Sequence, residues 1–224
     1  MKPSLIFYAM ARAVLVGWCR AYHRLTIEGK QNVPTHGSYI LAPVHRSIVD
    51  TFAVGAVTRR RLRYMGKEEL WKVGWFGRVI EALGAFPVHR DVADREAFRR
   101  CVAVIEGGEP LVLFPEGTRQ AGPGVKELRE GAVYLAARTN VPIVPVGIGG
   151  SEMALRKGTR FPRPVKIHLV VGEPITVKVG ERSRAESSAH RGQRLSRREL
   201  HEATERLHGD LQVLFDRAKA RAGD

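Results

Sequence analysis

Acidic residues are in short supply. The chain holds 23 Asp and Glu against 37 Lys and Arg, which leaves a formal charge of +14 and a pI near 10.4. Such a surface is unsuited to cationic partners and directs the chain toward polyanions, either nucleic acid or an anionic membrane. Cysteine is nearly absent. Cys19 and Cys101 are the only two, both in apolar helical patterns, so a disulfide framework is excluded and a reducing compartment is expected. No Cys/His cluster has zinc-ligand spacing, so no metal site is expected, and no internal repeat is present. A Gly-x-Ser-x-Gly elbow is also missing, which removes the usual way of presenting a serine for covalent acyl chemistry. Long hydrophobic runs are lacking too, apart from residues 3–22, and that one has Arg12 near its middle.

A membrane span needs about 20 predominantly apolar residues. The 3–22 segment carries Leu5, Ile6, Phe7, Met10, Val14, Leu15 and Trp18, interrupted by Arg12 and Arg20. No small-residue cleavage site follows a short apolar core, so a secretory signal is not expected. Two readings stay open: a helix lying in the headgroup layer, or an ordinary core helix. Phe7, Tyr8, Trp18 and Tyr22 beside basic residues favour the interface.

At 224 residues the chain can bury a sizeable core. Beyond the first helix, strand patterns alternate with helical ones. Strands are expected at 25–28, 39–42, 64–67, 84–90, 110–114, 142–148, 165–171 and 175–177. Helices are expected at 48–57, between 68 and 84, at 93–107 and at 131–140. The alternation predicts an α/β fold, a central mixed sheet flanked by helices. Residues 178–198 are rich in Ser and Arg with few core formers and read as a flexible basic linker. Ser196 and Glu199 then form a capping box for a last amphipathic helix whose apolar stripe reads as a docking face. The expected organisation is a helical segment at 1–23, an α/β domain at 24–178, a linker at 179–195 and a C-terminal helix at 196–224.

Two stretches carry chemistry. In 40–50, an apolar strand stopped by Pro43 runs into His45, and Asp50 follows five residues later in the first helical turn. From there its carboxylate can hold one imidazole nitrogen and leave the other as a base. The same spacing serves a plainer purpose, because Ser47 and Asp50 match an S-x-x-D capping box. Spacing alone leaves both open. In 110–119, a buried strand ends in the charged turn Glu116-Gly117-Thr118-Arg119, where Gly117 would let backbone N–H groups approach an anion and Arg119 offers a phosphate-matching fork. The plainer reading has Arg119 bracing the turn against Glu116 or Glu130. Lys67 and Arg90 sit at strand ends, where ligands collect in open α/β sheets. The run Arg59–Arg63 reads equally as cations suited to a helix end.

His45-x4-Asp50 followed by Phe114-Pro115-Glu116-Gly117-Thr118-Arg119 resembles the glycerolipid acyltransferases, in particular the lysophosphatidic acid (1-acyl-glycerol-3-phosphate) acyltransferases. Lys67, Glu69-Leu70, Gly77, Gly84, Phe86-Pro87-Val88 and Arg90 resemble the second block of that family, and Val141–Gly147 its fourth. Val44 stands where asparagine is often found, Gly74 where proline is usual, His89 where aspartate is usual and Gln120 where serine often follows. None of these removes a presumed chemical group. The resemblance implies acyl transfer from a thioester, acyl-CoA or acyl carrier protein, to the hydroxyl of 1-acylglycerol 3-phosphate, giving phosphatidic acid. Glycerol 3-phosphate or another lysophospholipid is the alternative acceptor. In that reading His45 is the general base and Asp50 orients it. The acceptor phosphate meets Arg119, Gly117, Thr118, Lys67 and Arg90, while Glu116 orders those cations or binds an acceptor hydroxyl. No cofactor is implied. The expected location is the cytoplasmic face of an anionic membrane. A nucleic-acid partner is not expected, because no aromatic ladder is interleaved with the basic residues.

Overall fold

A computed structural model describes residues 3–88, 95–155, 159, 161–177 and 195–224. Seven strands form one mixed sheet: β1 Thr26–Glu28, β2 Ile40–Pro43, β3 Arg63–Lys67, β4 Ala85–Val88, β5 Leu111–Val112, β6 Ile143–Gly149 and β7 His168–Val171. Their spatial order is β1-β7-β6-β2-β5-β3-β4, parallel throughout except for the β6–β7 pair. Helices α1 Pro3–Tyr22, α2 Val49–Ala53, α3 Gly74–Ala82, α4 Arg95–Glu106, α5 Gly131–Thr139, α6 Ser151–Ala154 and α7 Arg197–Ala222 flank it.

The central strands are apolar without alternation because neither of their faces meets water. Every residue of β2 and of β6 is buried. β2 ends at Pro43, as expected, and the proline is its last residue, paired with Val146 of β6. Successive residues of a strand point their N–H groups to opposite neighbours. Ile40 and Val44 donate to β6, so the donor missing from Pro43 would have faced β5, which ends at Val112. The proline therefore leaves the β6 ladder intact and lies where β5 pairing stops.

Three expected elements are shorter than their patterns. The 48–57 helix is α2 followed by a 3₁₀ turn at Val54–Ala56. The 110–114 strand is two residues long, and 175–177 makes one isolated bridge, Ile143 to Ile175. The last helix is capped as expected, with Ser196 and Glu199 in a reciprocal box. Its stripe of Leu207, Leu211 and Phe215 packs into the core against β6 and β7. Close approach there depends on glycine. A Cβ on Gly147 would lie 2.2 Å from the carbonyl oxygen of Leu214, and one on Gly149 would lie 2.3 Å from Ala218 backbone.

Much of the basic run at 59–63 serves the fold. Arg61 donates to the carbonyls of Glu81 and Ala82 at the end of α3, where a cation suits the helix dipole. Arg60 donates to Gly37 and Gly108, and Arg63 pairs with Glu109 at 3.1 Å. The 178–194 portion of the anticipated linker lies outside the described residues.

Candidate active site

His45 sits in the turn between β2 and α2 and is held on almost every side. Its Nδ1 lies 3.0 Å from Asp50 Oδ2. That same oxygen accepts from the backbone N–H groups of Arg46 at 2.6 Å and Ser47 at 2.7 Å. Asp50 is fully buried, so one carboxylate oxygen folds the loop around itself and fixes the ring. A carboxylate against Nδ1 places the proton of the neutral ring there and the lone pair on Nε2. The capping-box reading is half right. Asp50 accepts from Ser47 N–H, but the Ser47 hydroxyl lies 3.4 Å from Val49 N and donates to the Leu155 carbonyl at 3.2 Å. Ser47 is thus tied into the scaffold.

The second motif clamps the first. Glu116 accepts from His45 N–H at 2.8 Å through Oε2 and from Lys126 N–H at 3.1 Å through Oε1. Its Oε1 also lies 3.4 Å from Arg46 Nη2, with both side chains buried. Gln120 N–H donates to the His45 carbonyl at 2.8 Å. The Phe114 ring stacks on the imidazole, centroids 3.9 Å apart and planes 24° apart. Backbone, Nδ1 and one ring face of His45 are therefore committed, and Nε2 has no partner among the described residues.

His45 lines a cavity of about 620 Å³. Its deep walls are apolar and buried, Val112, Cys101 and Leu135 among them, while the exposed Lys67, Thr118 and Arg129 lie at its mouth. The cavity thus passes from a greasy interior, past an imidazole, to a basic rim.

The anticipated site residues fall into three groups. His45, Lys67, Gly117 and Thr118 meet in the cavity wall. Glu116 is buried behind it: the cation beside it is Arg46, its oxygens accept from the His45 and Lys126 backbone N–H groups, and its side chain has no exposed surface. Arg119 is exposed and outside the cavity lining, and it pairs with neither Glu116 nor Glu130 among the described residues. Arg90 lies outside the described residues. Gly117 also works differently from its expected part. Its N–H donates to the Phe114 carbonyl at 2.9 Å, closing the turn. With φ at +75°, the missing Cβ leaves room for Arg129, whose Nε would lie 2.5 Å from it. Arg129 is the residue sequence reasoning missed. Nothing in its loop is periodic; its N–H donates to the Pro115 carbonyl at 2.8 Å, and the bare Gly117 leaves its guanidinium room at the cavity.

The match to the family model for acyltransferases, which covers residues 24–149, decides the assignment. The chain belongs to the acyltransferase family. The matched segment runs from β1 to the end of β6 and contains both clamped motifs. This acyltransferase is 28% identical over 150 residues to a 1-acyl-sn-glycerol-3-phosphate acyltransferase of Bacillus subtilis, covering 66% of this chain and 72% of that one. It is 23% identical over 141 residues to a chloroplastic enzyme of the same name from Brassica napus, covering 62% of this chain but 41% of that longer protein. The crystal structure of the 1-acyl-sn-glycerophosphate acyltransferase PlsC from Thermotoga maritima superposes with a TM-score of 0.67 at 22% identity, over 92% of this chain and 84% of that one. That likeness confirms the fold: a mixed sheet flanked by helices.

Proposed function

We propose that this acyltransferase moves a fatty acyl group from a thioester, acyl-CoA or acyl carrier protein, to the free hydroxyl of 1-acylglycerol 3-phosphate, forming phosphatidic acid. One observation carries the reading: the uncommitted Nε2 of His45 belongs to a ring in the wall of an apolar cavity with a basic mouth. An alcohol attacks poorly until a base takes its proton during the attack, an effect worth about 10² to 10⁴ in rate. His45 Nε2 accepts that proton as the acceptor oxygen bonds to the thioester carbonyl, and the imidazolium returns it to the departing thiolate. Asp50 stabilises the imidazolium, in line with its direct contact to Nδ1. The acyl chain occupies the buried cavity lined by Val112, Cys101 and Leu135. The acceptor phosphate meets Arg129, Lys67 and the Thr118 hydroxyl, with Arg119 from the rim. A thioester is already activated, so the reaction calls on no metal or cofactor.

The same proposal places the protein on a membrane. Residues Leu5–Tyr22 are long and apolar enough to cross one, yet α1 lies along the domain. Arg12, which divides the apolar run in sequence, turns inward and donates to the Gly55 carbonyl at 2.8 Å. Ile6, Phe7, Met10 and Val14 face outward and are exposed. An apolar helix face on a +14 chain suits the headgroup layer of the anionic cytoplasmic leaflet. The test is a turnover assay of purified protein with a matrix of acceptors and donors. Phosphatidic acid from 1-acylglycerol 3-phosphate is the expected product; preferred acylation of glycerol 3-phosphate would reassign the acceptor.

A further inference from the structure

The segment that follows β3 turns its apolar side chains the wrong way for a soluble protein. Leu70 is 43% exposed, Val73 51%, Trp75 68% and Phe76 36%. Four large apolar groups within seven residues are a patch, and such patches mark interaction surfaces. The segment is not loosely held. Trp71, between Leu70 and Lys72, turns inward, where its indole occupies space that a Cβ on Gly66 (2.7 Å away) or Gly77 (2.9 Å away) would need. Its Nε1 donates to Glu81 at 2.9 Å. Arg61 secures the other end of α3 through two carbonyls. One tryptophan is thus the internal brace that keeps its neighbours presented to the outside.

We infer that Leu70, Val73, Trp75 and Phe76 form a wedge that enters the headgroup layer of an anionic phospholipid bilayer and seats the mouth of the cavity on it. Three observations select a bilayer as occupant. The exposed Lys72 and Arg78 lie within and just beyond the wedge on a chain of net charge +14, the combination that suits anionic lipid, while Glu69 on its other side is paired with Lys67 at 2.8 Å. Aromatic side chains are favoured at the membrane–water boundary. The wedge also adjoins two other features. Its helix α3 packs against α1, whose outward residues Ile6, Phe7, Met10 and Val14 are themselves apolar and exposed. And β3, which brings Tyr64, Met65 and Lys67 to the cavity, runs directly into it. This assignment rests on the lipid acceptor proposed above: a single-chain lipid in the leaflet that the wedge enters would then reach the basic rim without crossing water.

The test uses the full chain and the double variant Trp75→Ser, Phe76→Ser, whose side chains lie outside the cavity lining. Binding is measured on vesicles of phosphatidylglycerol mixed with phosphatidylcholine. Turnover is measured with a short-chain 1-acylglycerol 3-phosphate dissolved as monomer and with a long-chain one embedded in the vesicles. The wedge predicts a loss of vesicle affinity of about 10- to 100-fold, the size expected for withdrawing two such side chains from an apolar layer. Turnover of the monomeric acceptor stays at the parent level while that of the embedded acceptor falls. Leu70→Ser with Val73→Ser should reproduce the pattern. Unchanged vesicle affinity in both double variants would overturn the wedge. So would a concentration-dependent dimer of the parent protein that the variant dissolves, since the patch would then join two copies of the chain. Vesicle binding is read without turnover, so a parent inactive on every acceptor would overturn the acyl-transfer reading and leave the wedge standing.

Discussion

Glu116→Gln separates a brace from a substrate ligand in one substitution. The carboxylate is buried and accepts two backbone N–H groups, one per oxygen, from His45 and Lys126. An amide keeps only one accepting oxygen, so one buried N–H is left facing an NH₂ group. That loss costs about 1–3 kcal/mol. Arg46 also loses its charged partner while almost fully buried. Breaking a buried pair from one side costs about 3–5 kcal/mol. Part of this is recovered, because Arg46 keeps its bond to the Gly124 carbonyl at 2.8 Å and lies 4.6 Å from the centroid of the Phe215 ring. The two losses share the same carboxylate and do not simply add, which with that recovery leaves a net destabilisation of about 2–4 kcal/mol. Urea unfolding should show it as a lower midpoint at an unchanged slope. Because Glu116 anchors the backbone of His45, kcat should fall in the protein that remains folded, with little change in acceptor KM. If stability instead moves by less than about 0.5 kcal/mol while acceptor KM rises, Glu116 touches substrate and the clamp is wrong.

Arg129→Ala should raise acceptor KM by about 10- to 100-fold, as for loss of a charged hydrogen bond, with donor KM and kcat nearly steady. An unchanged acceptor KM would shift the phosphate to Arg119. Burial pushes the imidazoles of His23 and His168 below the ordinary histidine value, although Glu28 opposes this at His168. The unfolded chain therefore takes up these two protons first as pH falls. Stability should decline from about pH 7 down through 6.5 toward the lower folded values, by up to about 1.4 kcal/mol per pH unit per histidine. A flat set of urea midpoints across that window would contradict the assignment, and His23→Gln should lessen the slope. Gly147→Ala places a Cβ 2.2 Å from the Leu214 carbonyl, so α7 must shift outward. About 1–3 kcal/mol of stability should be lost, and a variant as stable as the parent would show that the helix yields freely.

What the sequence made legible was what depends on composition and short spacing. The unbroken apolar run of β2 ending at His45 could be read directly, as could Asp50 within reach of it and the Ser196 capping box. So could the stripe of Leu207, Leu211 and Phe215, although its partner, the paired glycines of β6, could not. What stayed hidden depends on burial and on distant contacts. A glutamate at a strand end reads as a substrate ligand until it is found buried against Arg46 and the His45 backbone. Arg12 reads as an interruption of the first helix, whereas in three dimensions it faces the Gly55 carbonyl and leaves the outer face apolar. Arg129 carries no pattern at all, and its place at the cavity depends on contacts with Pro115 and Gly117, more than ten residues earlier in the chain. Pro43 reads as a strand terminator, and β2 does end there; what spacing alone does not show is that its missing donor faces the side of β5, which has already ended at Val112.

If His45 Nε2 takes the proton of the acceptor hydroxyl, the turnover of purified His45→Ala must show it. The imidazole is largely enclosed, with 15% of its side-chain surface exposed, and it packs on Phe114, so thermal unfolding is followed on the same sample. A folded protein that still binds 1-acylglycerol 3-phosphate is expected, with kcat lower by about 10²-fold or more. A folded His45→Ala protein turning over near the parent rate would contradict it.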